Sequence, residues 1–314
     1  MAQNSWILRF GELGLKSKVV RRSFQRALRK NLVQLAANSS TPIIRDRLRD
    51  FDVVYSDADP QVVEDLMCHG LGIVAMDRIV ELSADTDPNF ISSLLLGRHS
   101  NVGIPRTFGV RVKRLGKKDI WDSQSYARAL GTSLIEQDSS LKVDLSNPDW
   151  WVKIILEPSK VSSIEKRVLG PGGLPTGVQG DVLSQLSSRD DVLSSFLIMR
   201  RGSRIIPVLD SKPEFIEILK KWDPFIGERT RTKDENNHMY QRPAWGVVGL
   251  SKDEAKPFIQ RREEAVKTTP LSTLEPLCGW TDEEKSALWM HLEQPSKYRP
   301  HPNNSSWIDD PIKG

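Results

Sequence analysis

Apolar residues recur along the chain in two rhythms, and their order predicts alternating strands and helices. SWILRF (residues 5–10) alternates as a short strand and is followed by the turn GELG. From Lys16 onward Val20, Phe24, Leu28, Leu32 and Leu35 are spaced as the apolar stripe of a helix, with Arg22, Arg26, Arg29 and Lys30 on another face. DFDVVYSD reads as a strand, and PQVVEDLMCHGLGIVAMDRIVEL as a helix, a glycine turn and a strand. The sum is a βαββαβ-like unit of about 80 residues.

A second unit starts near DTDPNFISSLLLGRHS. In RTFGVRVKRLGKKD (106–119) Phe108, Val110 and Val112 alternate with basic residues, the pattern of a strand with one wet face. SQSYARALGTSLIEQ is a helix, and LKVDLSNPDWWVKIILEP supplies a strand, an Asn-Pro-Asp turn and another strand. Trp150 and Trp151 are adjacent, so in a strand they point to opposite faces. GPGGLPTGVQG (170–180) divides the chain. Beyond it, DVLSQL, DVLSSFLIMRRG, RIIPVLD, PEFIEILKKWDPFIG, AWGVVGL and TDEEKSALWMHLE alternate strand and helix, which predicts short parallel strands. QPSKYRPHPNNSSWIDDPIKG has no periodicity and reads as a loose tail.

Composition changes this picture little. The chain has 314 residues, 38% hydrophobic and 27% charged, enough for two or three domains with their own cores. No apolar run reaches the length of a membrane span, and MAQNSWILRFGELGLK has no signal-peptide character, so a cytoplasmic location without membrane partners is expected. Cys68 and Cys278 stand far apart, with no CxxC or His/Cys cluster, and each is expected to be a structural, buried thiol; no metal site is expected. His238, His291 and His301 have no partner pattern. Charge is more telling. Residues 1–50 carry eleven Lys/Arg against Glu12, Asp46 and Asp50, a net +8, although the whole chain is only +4. A basic end of this kind points to a polyanionic partner.

Taken in order, these segments resemble the tRNA 4-thiouridine synthetases (tRNA sulfurtransferases). FGELGLKSKVVRRSFQRALRKNL is similar to that family's opening, and FGVRVKRLGKKDIWDSQSYARALG followed by KVDLSNPDWWVKI resembles its THUMP domain, an RNA-binding α/β module. GPGGLPTGVQGDVL is close to the linker into the family's PP-loop pyrophosphatase domain, FLIMRRGSRIIPV to the helix and strand that follow, and PLCGWTDEEKSAL to a later segment. The resemblance runs from about residue 9 to residue 290. It implies an α/β chain, α+β in its N-terminal half. The expected parts are a ferredoxin-like domain at 1–77, a THUMP domain at 78–168, a Rossmann-like PP-loop domain at 169–295 and a flexible tail at 296–314.

The resemblance breaks at the motif for chemistry. The family carries Ser-Gly-Gly-x-Asp-Ser, whose glycines let backbone N–H groups close around the pyrophosphate of ATP. Here Leu186, Ser187, Ser188, Arg189, Asp190 and Asp191 stand in its place, and only Asp190 is kept. Ser187 or Ser188 can cap the following helix, and Asp190 and Asp191 fall in its first turn, where carboxylates are favoured by the helix dipole. Ser187, Ser188, Asp190 and Asp191 therefore read as the remnant of a nucleotide loop closed by its own negative charge. Neither cysteine matches the family's catalytic cysteine.

The binding equipment is kept. Arg106, Arg111, Lys113, Arg114, Lys117 and Lys118 lie within thirteen residues. All of these but Arg106, with Lys16, Arg21 and Arg22, form the expected phosphate-contacting set, and Trp121 is the candidate for stacking on an unpaired base. Trp150, Trp151, Trp245 and Trp289 are expected to fill cores.

The resemblance implies the acceptor end of tRNA as partner, and dimerisation. The leading expectation is a tRNA-binding relative without ATP-dependent catalysis, needing no cofactor. It would serve as RNA-presenting subunit or adaptor for an intact paralogue or another tRNA-modifying enzyme. The alternative is an active sulfurtransferase making 4-thiouridine with a divergent loop, which would need ATP and keep Asp190 as its catalytic remnant. A third is a scaffold whose loop binds protein.

Overall fold

The computed structural model describes residues 4–11, 17–48, 51–99, 101–115, 120–208, 210–229, 244–255 and 272–298. Chain contacts divide it into two units. One comprises Met1–Ile7, Asp46–Tyr55 and Asp77–Arg167, the other Leu8–Arg45, Ser56–Met76 and Val168–Gly314.

The first elements are β1 (Asn4–Arg9), α1 (Lys18–Asn38), β2 (Ile44–Leu48), β3 (Phe51–Ser56), α2 (Pro60–Met67) and β4 (Ala75–Ser83), the βαββαβ order read from the sequence. Then come α3 (Pro88–Gly97), β5 (Arg106–Arg114), α4 (Ser123–Gln137), β6 (Leu141–Val143), β7 (Trp150–Glu157) and β8 (Lys160–Leu169). The eight strands make one sheet in the order β2-β3-β1-β4-β8-β7-β5-β6. Its first four positions are the ferredoxin-like arrangement.

Within the first unit β5 runs parallel to β6 and β7, and β7 is antiparallel to β8. Phe108, Val110 and Val112 face a core shared with Val152 and Ile154, covered by Ile91 and Leu95 of α3 and by Tyr126, Leu130 and Leu134 of α4. Each fully buried aliphatic side chain in such a core contributes about 1.5–3 kcal/mol. On the other face Ile155, Leu115 and Ile164 join Ile7, Val53 and Ile79 in a smaller cluster. Within this unit the Arg167 guanidinium donates from Nε and Nη2 to the buried Asp77 carboxylate, at 2.6 and 3.2 Å.

The second unit contains a four-stranded sheet, order β10-β9-β11-β12, made of β9 (Asp181–Ser184), β10 (Arg204–Pro207), β11 (Ala244–Val248) and β12 (Ser272–Thr273). All its pairings are parallel, as the alternation of strands and helices predicted. Around it stand α5 (Arg189–Arg200), α6 (Pro213–Lys220), α7 (Lys252–Ala255) and α8 (Asp282–Glu293). Val182, Phe196, Met199, Ile205, Trp222, Leu288 and Leu292 make the main core of this unit. The helices α1 and α2 also belong here, with Leu35 and Ala36 of the one against Leu66 of the other.

Two expectations change. Val20 is exposed, and α1 buries Phe24, Leu28, Asn31, Leu32, Leu35 and Ala36 instead. The predicted stripe holds from Phe24 on, and Asn31 joins it by donating to the Thr176 carbonyl at 3.0 Å. The glycine-rich segment that divides the sequence is no slack hinge. Gly170 donates to the Val74 carbonyl and Gly172 to that of Ile73, both at 2.8 Å. A Cβ on Gly170 would lie 2.2 Å from the Ile73 oxygen, so glycine is required for this close approach. The predicted tail lies outside the described residues from 299 onward.

Candidate functional site

The turn between β9 and α5 is built from the core outward. Leu186 is fully buried in the main core of the second unit. Its N–H donates to Ser211 Oγ at 3.0 Å and its carbonyl accepts from the Lys212 N–H at 2.8 Å. Ser188 is the N-cap of α5, accepting from the Asp191 N–H at 3.2 Å. Asp191 answers with one carboxylate oxygen. Its Oδ2 accepts from the Ser187 N–H (3.1 Å), Ser187 Oγ (2.8 Å), the Ser188 N–H (2.8 Å) and Ser188 Oγ (2.8 Å). These are the backbone donors that a helix N-terminus after a strand would offer to an anion. The two N–H groups are occupied by a side chain three and four residues on.

The surroundings reinforce the arrangement. Gly249, at φ +66°, passes so close that a Cβ there would sit 2.7 Å from Asp191 Oδ1. Asp190 turns outward and accepts from Lys285 Nζ at 2.7 Å, and this bond raises the lysine above its ordinary pKa. Arg189 lies 4.2 Å over the Trp289 ring, so the one cation of the loop is engaged by α8. A cavity of about 520 Å³ opens beside the loop, past the carboxyl ends of β9 and β11, with Asp190, Ser194, Gly249, Glu275, Cys278 and Lys285 in its wall. Clefts at the carboxyl ends of parallel strands are where open α/β sheets place ligands.

Cys278 corrects an expectation, for it is exposed. It sits in a loop turn before Gly279, at φ +81°, which keeps it out of the core. Cys68 is buried, with Sγ 3.6 Å from the Leu169 carbonyl. His291 is buried too, and its Nδ1 lies 2.8 Å from the Tyr298 carbonyl. Among the described residues no three His, Cys, Asp or Glu side chains are grouped to hold a metal ion.

The basic residues divide by strand parity. Arg111 and Lys113 are exposed on one face of β5, while Arg114 points to the other. Arg106 shares the Arg114 side, where its guanidinium stacks 4.6 Å over Trp150 and donates to His99 Nδ1 at 2.8 Å. Burial and that neighbouring cation lower the His99 pKa. Trp121 is half-buried, edge-on to Tyr126 at 5.5 Å and against the α4 core, so much of its ring is already covered. In the second unit Arg21, Arg22, Arg26 and Arg29 are exposed along α1, with Ser17 as N-cap and no acidic residue in the first turn. Lys16, Lys117 and Lys118 lie outside the described residues.

Sequence reasoning missed Trp151, expected to fill a core. It is half-buried on the sheet face away from α3 and α4, with the Arg111 guanidinium 4.0 Å over its ring. No local pattern marked it, because the pairing of Gly109 with Trp151 is set by strand register.

Comparison with known proteins places the chain. Over 202 residues it is 33% identical to a tRNA sulfurtransferase of Actinobacillus succinogenes, covering 62% of this chain and 41% of that protein. The chain is a relative of the tRNA sulfurtransferases. Over 101 residues it is 46% identical to the tRNA sulfurtransferase of Histophilus somni, covering 32% of this chain and 21% of that protein. The matched stretch thus spans about two fifths of the length of the curated tRNA sulfurtransferases. No family model matches the chain.

Two solved structures share the fold. PH1313 from Pyrococcus horikoshii superposes with a TM-score of 0.68 at 22% identity, covering 92% of this chain and 99% of that one. A 4-thiouridine synthetase solved with RNA and bound ATP gives 0.62 at 19% identity, covering 98% and 94%.

Proposed function

We propose that this protein binds tRNA and takes part in tRNA modification without itself activating the RNA with ATP, acting as an RNA-presenting subunit or adaptor. The observation that carries the second half is the Asp191 carboxylate seated on the Ser187 and Ser188 N–H groups. A triphosphate entering there would have to displace four hydrogen bonds and meet two carboxylates at close range. Each such charge-assisted bond is worth about 1.5–3 kcal/mol.

RNA binding is supported by the relationship to tRNA sulfurtransferases and by charge. The exposed arginines of α1 and the exposed Arg111 and Lys113 of β5 each suit phosphates, which attract without reading sequence. We place the RNA-binding THUMP module at 78–168, after a ferredoxin-like domain at 1–77 and before a degenerate PP-loop domain at 169–295, and take the acceptor end of tRNA as the target. The partner would be an intact paralogue or another tRNA-modifying enzyme, with the chain working as a dimer in the cytoplasm.

The test has two arms. Equilibrium binding of tRNA across a salt series should weaken steeply with salt, and an affinity indifferent to salt would sink the RNA reading. Pyrophosphate release from ATP in the presence of tRNA and a sulfur donor should be absent.

A second reading is favoured by the open cavity beside a retained, exposed Asp190. In it the chain is an ATP-dependent tRNA sulfurtransferase with a divergent loop. Robust pyrophosphate release abolished by Asp190→Ala would establish that reading and end the adaptor proposal.

A further inference from the structure

We propose that the face of β5 and β7 turned away from α3 and α4 is a stacking platform for an unpaired RNA base. It is built on Arg111 and Trp151 and flanked by Lys113, Lys142 and Lys153. The proposal rests on the RNA binding read above and adds where, and in what form, the RNA is held.

Register puts these residues together. Gly109 pairs with Trp151 and Arg111 with Lys153 along parallel β5 and β7, and Lys142 of β6 pairs with Thr107 on the same face. Trp151 leans over β5, and only glycine at 109 lets it: a Cβ there would lie 2.6 Å from the indole. The Arg111 guanidinium then covers the ring at 4.0 Å while the residue stays exposed. A planar cation laid on an indole offers a second planar surface, and nucleobases stack on arginine planes and aromatic rings alike.

The charge pattern favours a polyanion. The carboxylates of this face are engaged by their own neighbours, among them Asp144, which follows β6 beside Gly109 and accepts from the Ser146 and Asn147 N–H groups at 2.7 and 3.2 Å. Asp149 accepts from the Thr107 N–H and Oγ, both at 2.8 Å, and Glu157 lies 3.5 Å from Lys160. Between them the described residues of the two strands place Arg111, Lys113 and Lys153 on this face with no acidic side chain. A merely solvated sheet face mixes both signs. Duplex RNA presents phosphates but no free base face, so the aromatic component selects unpaired strands.

The test compares a short labelled single-stranded RNA with a blunt duplex of the same sequence by fluorescence anisotropy on the full chain. Trp151→Leu should weaken single-strand binding by about tenfold, leave duplex binding within about twofold and keep the salt slope; Trp151→Phe should restore most of the loss. Arg111→Gln, an exposed change that leaves the fold intact, should also weaken the single strand by about tenfold. Single-strand affinity unchanged in Trp151→Leu and Arg111→Gln overturns the platform while leaving RNA binding in place. Equal losses on both RNAs, or an acidic peptide bound as tightly as the single strand, overturn it as well. An unaltered chain that binds neither RNA removes the reading underneath and the platform with it.

Discussion

Two helix N-termini of the second unit make opposite use of the same physics. The peptide dipoles of α1 and of α5 each leave partial positive charge and free N–H groups at the first turn. In α5 that potential is spent internally: Asp190 and Asp191 lie in the first turn, and Asp191 collects four donors. The helix α8 is built alike, with Asp282, Glu283 and Glu284 in its first turn and Thr281 as cap. In α1 no acid is present, and Lys18, Arg21 and Arg22 add positive charge where the dipole disfavours it. A helix start arranged against its own stability is disposed for an external anion, and one that has satisfied itself is not.

The strongest test of that contrast is salt. Raising salt from about 50 to about 200 mM should lower tRNA affinity by about a hundredfold or more, as expected when several phosphates are neutralised. A flat response would break the comparison at the α1 side. The α5 side breaks or holds on a reversion. Ser187→Gly, Ser188→Gly and Asp191→Ser combined should free the loop N–H groups. By titration calorimetry the variant should then bind inorganic pyrophosphate about tenfold or more tightly than the unaltered chain. If the unaltered chain already binds it as well, the loop was never closed.

Stability gives a smaller signal. Asp191→Ala removes the carboxylate that Ser187 and Ser188 donate to, while the backbone N–H of residue 191 still reaches Ser188 Oγ; it should cost about 1 kcal/mol, read from the denaturant midpoint, with no loss of tRNA affinity. A single cation on the α1 side is smaller again. Arg22→Gln should reduce the slope of log affinity against log salt by about one, uniformly across RNA sequences.

The least effect expected is on pH. Burial lowers the pKa of His69, which packs against Trp222 at 4.9 Å. The fold therefore holds this imidazole neutral, and the unfolded chain binds its proton more readily. Stability should be full above the ordinary value of 6.5 and decline as pH falls below it. His69→Gln should flatten that decline in thermal unfolding. A slope that persists unchanged assigns the acid sensitivity to other groups.

Much of this molecule was legible in its residues. The βαββαβ order, the wet face of residues 106–114 and the parallel strands after residue 180 follow from periodicity, because period 2 and period 3.6 are local properties of the backbone. A serine cap at 187 or 188 was legible too, since a helix start needs only a few neighbouring residues to state it, and the structure assigns it to Ser188. Misjudgements fell where a distant partner decides. Asn31, not read as part of the buried stripe, is held inside by Thr176, 145 positions away. Cys278 looked like a core thiol until a turn put it on the surface. Arg114 was grouped with Lys113 by proximity and separated from it by strand parity.

The sequence by itself determined which helix starts carry their own carboxylates and which carry arginine, for capping and charge are written within one turn. Only the tertiary structure decided that one oxygen of Asp191 collects both serines, that Gly249 closes in behind it, and that Trp151 lies across Gly109 under Arg111. Those outcomes depend on strand register and on the approach of segments far apart in the chain, which no local pattern encodes.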